Sequence, residues 1–378
     1  VSQRSVRPSP SAVFRCDASP SLGAGHVIRC LTLAKALQAI GWRTVFAVRP
    51  GTFDVLPRLA ERIDAFTLVD GCAEHEADQI GSALTGKADL VVVDHYRRGE
   101  PFETACRKWA RRVLVVSDVA DRTHDADFLL DDSFGRDARD YAGKVPAGCR
   151  VLAGCRYAVV RPEFTLAREG ALRQRDGRTE VGRLLIAMGA ADAGNFSATA
   201  IAAAAASGLA IGLDVVLGTD APHQTAVAAQ LAAYPRETRL FIGTAEVAEL
   251  MAAADLAIGA CGTMSWERCC LGLPTIAVTM ADNQEPHGRN LAAAGAIRLL
   301  GRDRDVSAAM LAEALRGWAE DATGRRRMSR AAAAVCDGRG AERVAEILDD
   351  RLADDRPASA EERQPFGLAP LAVEGCPG

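Results

Sequence analysis

The sequence predicts two doubly wound α/β domains, each a parallel sheet covered by helices, facing a common cleft. Three observations predict this class. Short apolar runs alternate with stretches of helical spacing along most of the chain. The runs are continuous rather than alternating, as in strands buried on both faces of a parallel sheet. The series also restarts after a strongly charged stretch, 168–183, which reads as a connection between domains.

Taken in order, residues 12–16 form the first strand, followed by a loop through Gly23 and Gly25 and a helical pattern over 26–39. Further strands are expected at 44–48, 90–93 and 113–116, and the first domain closes near 161–164. The second series starts at 183–188 and continues at 212–217, 239–242, 256–259 and 275–278, ending around 337–349. The expected domains are therefore 12–167 and 183–350, joined by 168–182. Residues 1–11 and 351–378 are expected to be disordered, the latter because Pro, Ala and Glu accumulate there without apolar periodicity.

Composition excludes several function classes. A formal charge of −4, spread along the chain, carries no nucleic-acid footprint. The one basic cluster, Arg325, Arg326, Arg327 and Arg330, reads as a solvated helix face. No apolar stretch reaches bilayer-spanning length, so no membrane partner is expected. Residues 1–11 lack the apolar core of a signal peptide, which places the expectation in the cytoplasm. Eleven cysteines without a CxxC pair, and no HExxH or zinc-ribbon spacing, predict buried thiols and no metal or other cofactor.

Polar residues at the ends of strands carry the candidate chemistry. Arg15, Cys16 and Asp17 close the first strand, and Gly25 with His26 opens the next helix. Glycines there admit close backbone approach, and the motif lacks the full GxGxxG of a dinucleotide site. Asp94, His95 and Tyr96 directly follow a buried strand, so they face the crevice; Asp94 and Tyr96 are candidate substrate contacts and His95 reads as structural. In the second domain, the small-residue loop with Gly189, Asp192 and Asn195 reads either as a backbone cradle or as an ordinary turn capped by Asp192 or Asn195. Gly262 and Thr263 precede a helix whose amides suit a diphosphate, and Glu267 inside it can accept from both hydroxyls of a ribose. Asn283 adds an amide to the same rim.

The motifs RCDAS with GAGH, DHY, CRYAVVRPEF, MGAADAGN, GTMSWERCCLGLPTI and ADNQ, in this order over about 12–300, resemble the UDP-sugar hydrolase family of pseudaminic acid biosynthesis. That family acts on UDP-2,4-diacetamido-2,4,6-trideoxy-β-L-altropyranose and has the glycosyltransferase-B fold. The resemblance implies a catalytic role for His26, a cleft role for Tyr96, a ribose contact for Glu267, and substrate contacts at Tyr157 and Arg161. The family's paired glycines are Gly189 with Ala190 and Cys261 with Gly262 here, which narrows backbone access at both loops. The expected reaction is metal-free, inverting hydrolysis at the anomeric carbon by a monomer. An inverting glycosyltransferase, a hydrolysing epimerase and a non-catalytic nucleotide-sugar-binding subunit are the alternatives.

Overall fold

A computed structural model describes residues 9–19, 23–57, 59–61, 63–68, 72–353 and 366–368. The first sheet contains β1 (Ser11–Cys16), β2 (Arg43–Val48), β3 (Ala65–Thr67), β4 (Ala88–Asp94), β5 (Ala110–Val116), β6 (Phe128–Asp131) and β7 (Arg150–Ala153), all parallel, in the order β3-β2-β1-β4-β5-β6-β7. The second contains β8 (Arg183–Ala187), β9 (Gly212–Leu217), β10 (Thr238–Ile242), β11 (Leu256–Ala260), β12 (Thr275–Thr279) and β13 (Arg298–Arg302), also parallel, in the order β10-β9-β8-β11-β12-β13. Both are doubly wound, as the continuous apolar runs predict. Every residue of β4 and of β12 is buried, because helices cover both faces.

In each sheet the strand order reverses once, between β1 and β4 and between β8 and β11. At such a reversal the helices leave on opposite faces, which opens a crevice beyond the carboxyl ends of the two strands. Register places Cys16 beside Asp94 in the first sheet and Ala187 beside Gly259 in the second. The polar motifs that follow these strands therefore gather at the two crevices.

Two charged segments behave differently from their sequence reading. The stretch expected to link the domains lies largely in the helix Pro162–Gly177, which buries Phe164 and Ala171 in the second domain's core. Its arginines act as carbonyl caps: Arg175 donates to Leu271 O at 2.8 Å and Met251 O at 2.6 Å, and Arg168 to Ala333 O at 2.8 Å. Arg325 is likewise buried, donating to Ala319 O at 2.7 Å and to Thr179 O, so only Arg327 and Arg330 of the basic cluster are exposed.

The last helix, Gly340–Ala353, crosses back to the first domain. Val344, Ala345, Leu348 and Leu352 join that domain's core, and Trp42 Nε1 donates to Asp349 Oδ1 at 2.9 Å. Gly340 permits the crossing, since a Cβ there would lie 2.2 Å from Ala158 O. The expected disordered ends fall mostly outside the described residues, at 1–8, 354–365 and 369–378. Within the tail, however, Phe366 is buried against the first domain and Gly367 O accepts from Thr85 N at 3.0 Å.

Candidate active site

The first crevice is organised around Asp94, at the end of β4 and 1% exposed. His26 Nδ1 lies 2.6 Å from Asp94 Oδ1, and Arg29 forks onto the same carboxylate, Nε to Oδ2 at 2.9 Å and Nη2 to Oδ1 at 2.8 Å. His26 and Arg29 share a face because they are three residues apart on the helix Gly25–Ala39. Burial alone would push the Asp94 carboxyl up, but the charges of Arg29 and His26 overcome it and hold it well below the ordinary range. Burial likewise opposes a charged His26, and Asp94 more than offsets this, so the imidazole pKa is raised above 6.5.

An ionised Asp94 accepts from Nδ1–H, which leaves Nε2 of the neutral ring as a base with no hydrogen-bond partner among the described residues. Tyr96 meets the imidazole edge-on, with centroids 4.8 Å apart at 89°. Its hydroxyl donates to Asp118 Oδ2 at 3.0 Å; desolvation and then Asp118 push its pKa well up, so it remains a neutral donor.

A second network braces the first from below. Asp17 Oδ2 accepts from Arg15 Nη2 at 2.8 Å and from His95 Nε2 at 3.2 Å, and Oδ1 accepts from Arg49 N at 2.9 Å. The His95 tautomer follows from Arg97 N donating to its Nδ1 at 3.0 Å. Glu76, fully buried, accepts from Arg15 at 2.6 Å and from Arg98 at 2.8 and 2.6 Å; despite burial, these cations hold its pKa down to about 2. Arg15 is itself completely buried, so it positions Asp17 and does not reach a substrate. Asp17, His26, Asp94, His95, Tyr96 and Arg97 enclose a cavity of about 30 Å³. That is room for water.

The second crevice faces the first. Glu267, in the helix Met264–Cys270, takes Arg161 Nε and Nη2 on Oε1, both at 2.9 Å, while Oε2 is buried without a hydrogen-bond partner. Burial pushes the Glu267 pKa up and Arg161 opposes it. Arg161 is thus committed to Glu267. Asp192 accepts from Phe196 N at 2.9 Å and Ser197 N at 3.0 Å, so the helix-cap reading holds for it. Gly189 has φ +107°, Asn195 has φ +54°, and Asn195 Oδ1 is buried and unpaired. Tyr157 packs at the edge of the first domain's core with the Arg156 guanidinium 5.1 Å from its ring centroid, and it does not line the cavity.

The two crevices meet. Asn283 Nδ2 lies 3.5 Å from the Tyr96 hydroxyl, Asn290 Nδ2 donates to Phe134 O at 3.0 Å, and a Cβ on Gly25 would sit 3.7 Å from Thr263 Oγ1. Gly262 and Thr263 thus stand opposite the helix that carries His26. Residues 184–346 match the glycosyltransferase family 28 C-terminal domain. The matched segment holds Glu267, Asn283 and the loop before Met264, the whole second-domain half of the site.

Among curated proteins, the chain is 28% identical over 187 residues to the UDP-2,4-diacetamido-2,4,6-trideoxy-β-L-altropyranose hydrolase of Campylobacter jejuni, covering 49% of this chain and 62% of that one. It is 27% identical over 208 residues to the spore coat polysaccharide biosynthesis protein SpsG of Bacillus subtilis, covering 54% and 60%. The matched parts span less than two thirds of either relative. Among solved structures, MurG of Acinetobacter baumannii superposes with a TM-score of 0.65 at 16% identity, over 91% of this chain and all of that one. A UDP-GlcNAc 2-epimerase of Neisseria meningitidis bound to UDP-GlcNAc gives 0.59 at 12%, over 90% and 100%. These likenesses establish the glycosyltransferase-B type of fold.

Several members of the site escaped the sequence reading: Arg29, Asp118, Glu76, Arg98 and Asn290. Arg29 was accessible from its i, i+3 spacing to His26, and Asp118 from its place after β5. Among the described residues, no group of three or more His, Cys, Asp or Glu side chains is arranged to hold a metal, and no helix is long and apolar enough to cross a membrane.

Proposed function

We propose that the protein hydrolyses a UDP-linked 2,4-diacetamido-2,4,6-trideoxy hexose at its anomeric carbon, releasing UDP and the free sugar. The observation that carries the reading is the Asp94–His26 pair at the wall of a water-sized cavity, with Nε2 unpartnered among the described residues. Neutral His26 takes a proton from water through Nε2 as the water oxygen bonds to C1. The C1–oxygen bond breaks, and its electron pair stays on the diphosphate. One displacement inverts the anomeric centre. Asp94 fixes the tautomer and stabilises the imidazolium that forms, while Tyr96 and Asn283 flank the sugar.

UDP occupies the second domain in this scheme. Glu267 Oε2, buried with no hydrogen-bond partner among the described residues, accepts from the ribose hydroxyls, and the amides of Gly262 and Thr263 face the diphosphate. The hydrolase of Campylobacter jejuni, by its name, acts on a sugar nucleotide of this class, which supports the choice of substrate. Incubation in ¹⁸O-water with a panel of UDP-diacetamido sugars tests the proposal: label is expected in the sugar at C1, and label in UDP would sink attack at carbon.

The family 28 match favours a second reading, transfer of the sugar to an acceptor. Stoichiometric UDP release without any acceptor separates the two. His26→Ala is expected to abolish that release while UDP still binds, which also distinguishes an enzyme from a binding subunit.

A further inference from the structure

Cleavage of a nucleotide sugar leaves negative charge on the β-phosphate oxygen, one covalent bond from the carbon under attack. A cation beside His26 is therefore well placed to meet that charge. The cavity's two carboxylates already have their counterions: Arg15 lies 2.8 Å from Asp17, and Arg29 lies 2.8 Å from Asp94. Neighbouring arginines are equally committed, Arg98 to Glu76 at 2.6 Å and Arg49 to Glu76 at 3.2 Å.

Arg97 differs from all of them. Its backbone amide is anchored on His95 Nδ1 at 3.0 Å, so the residue is fixed at the cavity wall. Its side chain is exposed, and among the described residues it makes no hydrogen bond or ion pair. Five N–H donors and a permanent charge thus stand at the rim of the chamber without a partner among the described residues.

We propose that Arg97 is a further catalytic residue, binding the β-phosphate from the first-domain side and stabilising the leaving oxygen opposite the Gly262 and Thr263 amides. This rests on the nucleotide-sugar reading above. A guanidinium suits the task because its planar fork matches two phosphate oxygens. It does not give up a proton, so its help is electrostatic: the electron pair of the broken C1–oxygen bond remains on UDP, and the proton from water goes to His26.

The experiment compares the wild type with Arg97→Met and Arg97→Lys. Neither substitution removes a side-chain hydrogen bond or ion pair among the described residues, and unchanged Tm values certify folding. Binding of UDP, UMP and uridine is measured by calorimetry, and UDP release by steady-state kinetics. Arg97→Met is expected to bind UDP about tenfold more weakly and UMP unchanged, and to lose about 10²-fold in kcat. Arg97→Lys recovers part of both. UDP affinity and kcat of Arg97→Met within twofold of the wild type would overturn the assignment and leave the nucleotide-sugar reading standing. A wild type that binds UDP no better than uridine would remove that reading and the role of Arg97 with it.

Discussion

His26 draws its chemistry from one buried carboxylate shared with a guanidinium. Its raised pKa means that the imidazolium is favoured in the fold, so this pair adds stability below about 6.5, the unfolded value, and that contribution is lost as pH rises through the folded pKa. Activity as a base needs the neutral ring, so kcat/KM is expected to rise with pH through an apparent pKa above 6.5. Asp94→Asn removes the charge that raises His26 and allows the wrong tautomer. A pH–rate profile should show the limb moving to lower pH and kcat falling by about 10²–10⁴-fold. Asp132 carries the opposite charge bookkeeping. Burial, only partly countered by Arg29 at 3.9 Å, pushes its carboxyl up to about 6. Relative to an unfolded 3.8 it costs stability as pH rises through 6, so Asp132→Asn should stabilise the protein at pH 7.5 by on the order of 2 kcal/mol, a gain that shrinks toward pH 4 in urea titrations. At this scale the sequence showed His26, Asp94 and Tyr96 through their places after strands. It hid Glu76 and Arg98, because their meeting with Arg15 is a long-range event without local pattern.

Strands were legible as short apolar runs, and nine are found near their expected places, from β1 to β12. The others were not, for physical reasons that differ. β3 is three residues long, β6 has three apolar residues before Asp131, and β7 and β13 carry arginines in place of apolar residues at their ends. The helix Pro162–Gly177 was hidden by its charge, since periodicity treats Arg168 and Arg175 as solvent-facing when they cap carbonyls. Most consequential is Gly340–Ala353, amphipathic like any surface helix, whose partner lies in the other domain. Leu348→Ala is expected to cost about 2–5 kcal/mol. The loss should appear in the first domain: hydrogen exchange is expected to quicken in β1 and β4 while β11 and β12 keep their protection. Equal loss in both sheets would mean that the helix supports the whole chain as one cooperative unit.

Across the whole molecule, two crevices at two strand-order reversals face each other, and contacts from Tyr96 to Asn283 and from Phe134 to Asn290 hold them together. The enclosed cavity of about 30 Å³ is an order of magnitude below the ~300 Å³ or more that ligand pockets require. Under the proposed function, a nucleotide sugar would therefore reach His26 only when the domains part. Thr263 and Gly25 offer a way to test this, because a Cβ on Gly25 would lie 3.7 and 3.8 Å from the Thr263 side chain, and Gly25 has no left-handed backbone to strain. Both Thr263 atoms are one bond from its Cβ, which itself lies more than 4 Å away, near the upper end of the ~3.5–4.5 Å that a disulfide needs between Cβ atoms. In the double variant Gly25→Cys with Thr263→Cys, oxidation is expected to stop UDP release and thiol reductant to restore it, while each single variant ignores the oxidant. Turnover by the oxidised double variant at its reduced rate would mean that substrate enters without separation of the domains, along a path these contacts do not gate.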